Sequence, residues 1–200
     1  MRSAMPDLNK KHNRWFLFTI LFIVLVGVLT WFSYVFIIPI FDYPNKDFMT
    51  FWTGSRALLE RIDLYDSQLW RPLRARYGSS WMPNATAPYP LWTFIVTLPF
   101  AFFSVELGAA LWLAVSEVLL AICLYGLVYY VFQYQPTINE ALLLFVVAFV
   151  SITNLLIIIN GQFAYFLLAI FTLFLFLLQQ KRPFLAGMVL SLVVLKPNLF

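Results

Sequence analysis

The stretch WFLFTILFIVLVGVLTWFSYVFII, Trp15 to Ile38, runs for 24 residues without one charge. As a helix rising about 1.5 Å per residue it is about 36 Å long, enough to cross a hydrocarbon core of roughly 30 Å with some tilt. A secretory leader has a shorter apolar region, about 7–15 residues, and a small-residue cleavage site, so this segment reads as a retained membrane anchor. Arg2, Lys10, Lys11 and Arg14 precede it. By the positive-inside rule they put the N-terminus in the cytoplasm and Pro39 on the far side. The whole chain agrees: 62% of its 200 residues are hydrophobic and 11% charged, against about 45–50% and 25% in soluble domains. An ordinary soluble globule is excluded, and the net charge of +4 reflects topology before any partner. The single cysteine, Cys123, leaves no intramolecular disulfide and too few ligands for a Cys-based metal site.

Composition changes abruptly between Pro39 and Pro90, which hold Asp42, Asp47, Glu60, Asp63 and Asp66 together with Lys46, Arg56, Arg61, Arg71, Arg74 and Arg76. Loops beyond about 12–15 residues are usually functional or disordered. This one has helical periodicity: Phe48, Phe51, Trp52, Ser55, Leu58, Leu59 and Ile62 fall on one face, with Met49, Thr50, Arg56, Ala57, Glu60 and Arg61 toward the other. It predicts an amphipathic helix on the outer leaflet. A second short helix, capped by Asp66, is expected from Trp70 to Tyr77.

Further apolar segments follow at Leu91–Phe103, Leu107–Phe132, Ala141–Ile159, Phe163–Leu178 and from Phe184 onward. The first is too short for a comfortable crossing and contains Pro99, which suits a re-entrant or interfacial segment. With that segment not crossing, Lys181 and Arg182 lie in the cytoplasm and Asn160-Gly161-Gln162 shares the outer side with the charged loop. A crossing would put Lys181 and Arg182 outside, against the positive-inside rule. The expected fold is therefore an all-α, polytopic membrane bundle forming a single domain over residues 1–200, with an outer loop over 39–90 that carries short helices.

Several chemistries find no support. There is no glycine-rich phosphate loop, no nucleophile elbow and no two-His metal motif, and the only histidine, His12, lies in the N-terminal tail. No metal, other cofactor or nucleic-acid partner is expected. Asn84-Ala-Thr86 fits a glycosylation acceptor pattern too short to carry weight. What remains is Asp42-Tyr-Pro-Asn-Lys-Asp47 at the interface. A carboxylate there suits a general base taking the proton of an acceptor hydroxyl; Asp47 also suits an N-cap of the following helix, and the two roles are compatible. Asp42 reads as a solvated turn residue. Lys196, an ammonium inside an apolar run, needs a partner, a watery cavity or an anionic ligand, unless it snorkels to headgroups.

The order Asp47-Phe-x-x-Phe-Trp-Thr-Gly-Ser-Arg56-Ala-Leu-Leu, Asp63-Leu-Tyr-Asp66, Tyr89-Pro-Leu-Trp92, Asn160-Gly-Gln162, Arg182-Pro-Phe-Leu-Ala-Gly187 and Leu195-Lys196-Pro-Asn198 resembles glycosyltransferase family 87. These are polytopic GT-C enzymes, typified by mannosyltransferases using polyprenol-phosphate-mannose. The resemblance implies a GT-C-like fold, Asp47 as catalytic base, and a chain corresponding to the N-terminal portion of a longer enzyme. It also implies a polyprenyl-phosphate-sugar donor, a lipid or glycan acceptor, and a multi-pass place in the cell membrane. Because nucleotide sugars are made in the cytoplasm, a lipid-linked donor suits transfer on the outer face. Lys196 or Arg56 would stabilise the leaving phosphate without a metal, Arg56 otherwise being solvated surface. Asn160, Gln162 and Tyr89 complete the expected donor site. Trp52, Tyr89 and Trp92 suit either a groove for the prenyl chain or an interfacial belt. Two other classes stay open. In a small transporter or lipid-handling protein, Asn160-Gly161-Gln162 and Lys196 form a polar translocation site at broken helices; the chain is otherwise a noncatalytic subunit or remnant.

Overall fold

The computed structural model describes residues 8–43, 46–80 and 86–195. Among them the fold is all-helical. The first apolar run forms α1 (Leu8–Phe32), which loosens into a π turn over Ser33–Ile37 and a 3-10 turn over Ile38–Ile40 before the polar loop begins. The outer loop supplies α2 (Asp47–Glu60) and α3 (Ser67–Arg76), and the short apolar segment becomes α4 (Leu91–Thr97) with a 3-10 extension over Leu98–Phe102. Then come α5 (Val105–Tyr125), wound as a π-helix over Gly126–Val131, α6 (Ile138–Val150), α7 (Ile152–Asn160), α8 (Ala164–Gln179) and α9 (Pro183–Ser191), which passes into a 3-10 turn over Leu192–Leu195. Two helical stretches are long and apolar enough to cross a membrane, Thr19–Ile40 and Val105–Val131. The α6–α7 pair makes a third if its 46° bend lies within one span.

That bend was not expected from the continuous run Ala141–Ile159. Ser151 leaves helical geometry and caps α7, accepting from the Asn154 amide at 3.2 Å, while its hydroxyl donates to the Ala148 carbonyl. The Asn154 side-chain amide then donates to the Phe149 carbonyl at 2.8 Å. Polar side chains thus satisfy backbone groups freed by the break, as a hydrocarbon environment demands.

α1 packs along α5, and α8 lies between α5 and α9. Ile38 and Tyr43, where the first span ends, share a cavity wall with Val105 and Glu106, where α5 begins. At the opposite end the Gln179 side chain donates to the Val131 carbonyl. The span ending near residue 40 and the span starting near residue 105 are therefore antiparallel neighbours, and Leu91–Phe102 enters and leaves on one side. This is the non-crossing arrangement.

The core lies in the loop layer rather than between the long spans. Phe48, Met49, Phe51, Trp52, Trp70, Phe94 and Trp112 are all at most 2% exposed, whereas most side chains of α1 from Thr19 onward and of α6 face outward, as lipid-facing helices do. This corrects the surface-helix reading of α2. Part of its expected polar face is covered as well, with Met49, Thr50 and Ala57 buried, and so are Thr53, Gly54 and Ser55. A Cβ on Gly54 would lie 2.2 Å from the Phe94 ring, and the Ser55 hydroxyl sits 2.8 Å from the Phe94 carbonyl and 2.7 Å from Thr97 Oγ1. Small residues let α4 close over this flank of α2. The cap expected at Asp66 is present: its carboxylate accepts from the Gln68 amide at 2.8 Å.

Candidate functional site

α2 starts where Lys46 adopts extended backbone, and Asp47 is its first residue. The N-cap position is therefore Lys46, contrary to the expectation that Asp47 holds it. The carboxylate instead receives a hydrogen bond from the Gln162 side-chain amide, Nε2 to Oδ2 at 2.9 Å. The two residues are 115 positions apart, and both are half-buried.

The α7–α8 turn explains how they meet. α7 closes with Gly161 in the left-handed region at φ +62°, and the Gly161 and Gln162 amides donate back to the Ile158 and Ile157 carbonyls. An L side chain is strained at that φ, and a Cβ there would also lie 2.5 Å from Phe48 Cβ. Glycine therefore lets the turn press against the residue next to Asp47. A second tether lies one turn back, where the buried Tyr43 hydroxyl donates to the Ile158 carbonyl at 3.0 Å. Burial pushes the Tyr43 hydroxyl well above its ordinary pKa of 10.0, so it serves as a neutral donor. Beneath the pair lies an aromatic floor of Phe48, Phe51, Trp112, Phe163 and Phe166, with ring centroids 4.7–5.9 Å apart. Tyr89 joins it, buried and 5.0 Å from the Phe51 ring.

The remaining expected residues are scattered. Asn160 donates its side-chain amide to the Leu156 carbonyl within its own helix at 2.9 Å. Arg56, nine residues along α2 from Asp47, is tied down elsewhere: Nε donates to Glu60 at 2.8 Å and to the Tyr77 hydroxyl at 3.2 Å, and Nη1 to the Ala101 carbonyl at 3.2 Å. It is neither loose surface nor a neighbour of the Asp47–Gln162 pair. Trp52 is core, its indole packed on Gly108, while Trp92 is about half-exposed and donates to the Val194 carbonyl at 3.3 Å. Lys196 lies outside the described residues, as does Asn84. Asp42 is exposed.

Sequence reasoning passed over Arg74. It is 0% exposed, donating to Thr50 Oγ1 at 3.2 Å and Ser79 Oγ at 3.0 Å, with Trp70 beneath its guanidinium. Burial lowers its pKa, and the Asp47 carboxylate, one turn before Thr50, counters that shift. A buried guanidinium is costly without charge compensation, and Asp47 supplies part of it. The available signal was helical spacing, since Trp70, Leu73, Arg74 and Tyr77 put this arginine on the apolar stripe of α3.

Below the pair, an elongated cavity of about 580 Å³ runs between α1 and α5, open at one flank. Its α1-side wall extends from Phe22 to Ile37, a rise of about 22 Å. Ile158 lines it, one turn before Gln162; apart from Ser33, Glu117 and Asn154 its walls are hydrocarbon. Among the described residues, no three His, Cys, Asp or Glu side chains cluster closely enough to share a metal ion.

No curated protein and no solved structure matches the chain. The glycosyltransferase family 87 profile matches residues 86–199, more than half of its length. That range holds Gln162, Tyr89 and the α7–α8 turn, while Asp47 precedes it and is joined to it by the hydrogen bond. The chain is a membrane-helical protein that belongs to glycosyltransferase family 87.

Proposed function

We propose that this glycosyltransferase is of the GT-C class and moves a hexose, mannose by its resemblance, from a polyprenyl-phosphate donor to a lipid or glycan acceptor on the outer face of the cell membrane. Asp47 is the general base. It takes the acceptor hydroxyl proton as that oxygen bonds to the anomeric carbon, while the carbon–oxygen bond to phosphate breaks and its electron pair leaves with polyprenyl phosphate. Attack opposite the leaving group inverts the anomeric centre.

The observation that carries this reading is the 2.9 Å hydrogen bond between Gln162 and Asp47. A primary amide orients a carboxylate without neutralising it, which suits a base. Asp47 lies at an edge of the apolar layer where a lipid-borne sugar phosphate would arrive, and the hydrocarbon trough below has the length and lining for a prenyl chain. Tyr89 and the aromatic floor suit the hydrophobic face of a sugar ring. Lys196 keeps its proposed role in holding the phosphate, with Asn160 lining the approach; Arg56, held by Glu60 and Ala101, serves the architecture of the loop. The N-terminus is cytoplasmic in this arrangement, and the chain crosses the membrane several times.

Membranes carrying the chain, incubated with radiolabelled polyprenyl-phosphate-mannose and a lipid extract as acceptor, should form labelled product. Asp47→Asn should lower turnover about 10²–10⁴-fold, the usual contribution of a positioned general base. Asp42→Asn should leave it unchanged. Parental turnover in Asp47→Asn would remove the base from this position, and loss confined to Asp42→Asn would move it five residues earlier.

A further inference from the structure

Asn154 and Tyr165 belong to two helices joined by the turn that carries Gln162. The Tyr165 hydroxyl donates to Asn154 Oδ1, and both side chains are buried. Eleven residues separate them, and Gly161 and Gln162 lie in that interval. The bond closes the turn from below. Asn154 is itself held from behind, through its own backbone amide on Ser151 and its side-chain amide on Phe149. The first half of the clasp is thus anchored at the α6–α7 break and the second on α8, three residues beyond Gln162.

We infer that Asn154 and Tyr165 are positioning residues that hold Gln162 against Asp47, an inference that rests on the proposed role of Asp47 for its catalytic consequence. The Tyr43 tether holds the end of α7 to the first span, whereas the Asn154–Tyr165 bond joins α7 to α8 directly. Gly161 is at a φ where glycine is soft, so the angle between α7 and α8 would be loosely set by backbone alone. α7 is only nine residues long, and its own helical bonds do not fix its direction relative to α8. A hydrogen bond across the base of the turn fixes that direction. In hydrocarbon such a bond adds only modestly to stability, yet a displacement of about 1 Å at a reacting group can cost on the order of 10²-fold in rate. Glu117, which lines the trough with Asn154, makes the rival reading concrete: a polar cluster that glues helices and leaves the site untouched.

The test has two arms, each with the full chain in cell membranes. In the first, turnover and KM for radiolabelled polyprenyl-phosphate-mannose are measured for Tyr165→Phe, Asn154→Ala and their combination. Each single variant should lower kcat about tenfold with KM within about twofold of the parent, and the double variant should be no slower than the worse single one, as expected for partners in one contact. Thr172→Val, a buried α8 hydroxyl that donates to its own helix at Leu168 and meets Cys123 of α5, two turns beyond Tyr165, should behave as the parent. In the second arm, cysteines replace Asp47 and Gln162 in a Cys123→Ser background, and a short bifunctional methanethiosulfonate reports their proximity without needing activity. Tyr165→Phe should lower the crosslinked yield severalfold while Thr172→Val does not; Asn154→Ala repeats this arm if Tyr165→Phe fails to accumulate. Independent effects of the two substitutions, parental turnover in both, or lost turnover with unchanged crosslinking would each overturn the clasp. Parental turnover in Asp47→Asn would instead defeat the base assignment, and the crosslinking arm would still decide whether the clasp holds the pair together.

Discussion

At the scale of single residues, the site depends on three unlike devices at one junction: a carboxylate held by an amide, a tyrosine tethered to a helix end, and a glycine with no side chain. The glycine is the most sensitive to substitution. Gly161→Ala adds a Cβ at φ +62° and 2.5 Å from Phe48 Cβ, a contact that no flexible side-chain end can relieve. Left-handed backbone for a non-glycine residue costs about 1–3 kcal/mol, and the clash adds a shift of either the turn or the start of α2. We expect Gly161→Ala to lower stability by roughly 2–4 kcal/mol, and to lower turnover further than its melting temperature alone explains, because Phe48 adjoins Asp47. Thermal unfolding in detergent and turnover in membranes measure the two effects. An alanine variant with parental melting temperature and rate would show that the turn does not press on α2. Neither Gly161 nor Tyr43 carries chemistry that a motif search would weigh. Gln162 was legible as part of a polar break, but its partner was not, since nothing local links it to a residue 115 positions away.

Among the elements, α2 shows why periodicity misjudged its surroundings. Its apolar stripe is real, and Phe48, Phe51 and Trp52 are buried as expected. Off the stripe lie Thr50, Thr53 and Gly54, which hydropathy scores as polar and packing uses as small; Ser55, on the stripe, is buried against α4 too. The helix that covers them is encoded some forty residues later, so no window on α2 contains the information. The break at Ser151 escaped for a related reason, as serine and threonine are common within membrane spans. The far end of α2 is held differently, by charge. Glu60 accepts from Tyr77 at 2.5 Å, Arg56 at 2.8 Å and Arg76 at 3.2 Å, tying α2 to the end of α3. Burial alone pushes the Glu60 carboxyl upward, but the hydrogen bonds from Tyr77 and Arg56 and the charges of Arg76 and Arg56 outweigh it, leaving its pKa below the ordinary 4.5. A carboxyl lowered on folding contributes stability that is present above its unfolded pKa and lost as pH falls through the folded value. Glu60→Gln should therefore lower the melting temperature at pH 7, and the gap to the parent should narrow steadily as pH falls below about 4.5. A gap that stays constant over that range would mean that charge is not what holds this corner.

For the molecule as a whole, the contacts bear on the two topologies that hydropathy left open. Length and charge located the apolar runs, and the positive-inside rule favoured a non-crossing Leu91–Phe103. The shared wall of Ile38, Tyr43, Val105 and Glu106 and the bond from Gln179 to Val131 then place the described residues between 39 and 104 and the α7–α8 turn at one end of the bundle, and residues 131–137 and 179–182 at the other. Contacts order the two ends relative to each other; in the proposed topology the basic flank of α1 and the pair Lys181-Arg182 put the loop end outside. Single cysteines introduced at Asp63 and at Lys181 in a Cys123→Ser background test both statements. An impermeant maleimide added to intact cells should label the cysteine at position 63 and leave that at position 181 unmodified until the membrane is permeabilised. Labelling of both from outside would make Leu91–Phe102 a crossing segment and break the antiparallel pairing of α1 with α5. Labelling of position 181 alone would keep that pairing and invert the protein, which would put Asp47 in the cytoplasm, where nucleotide sugars are made, and remove the reason for a lipid-linked donor.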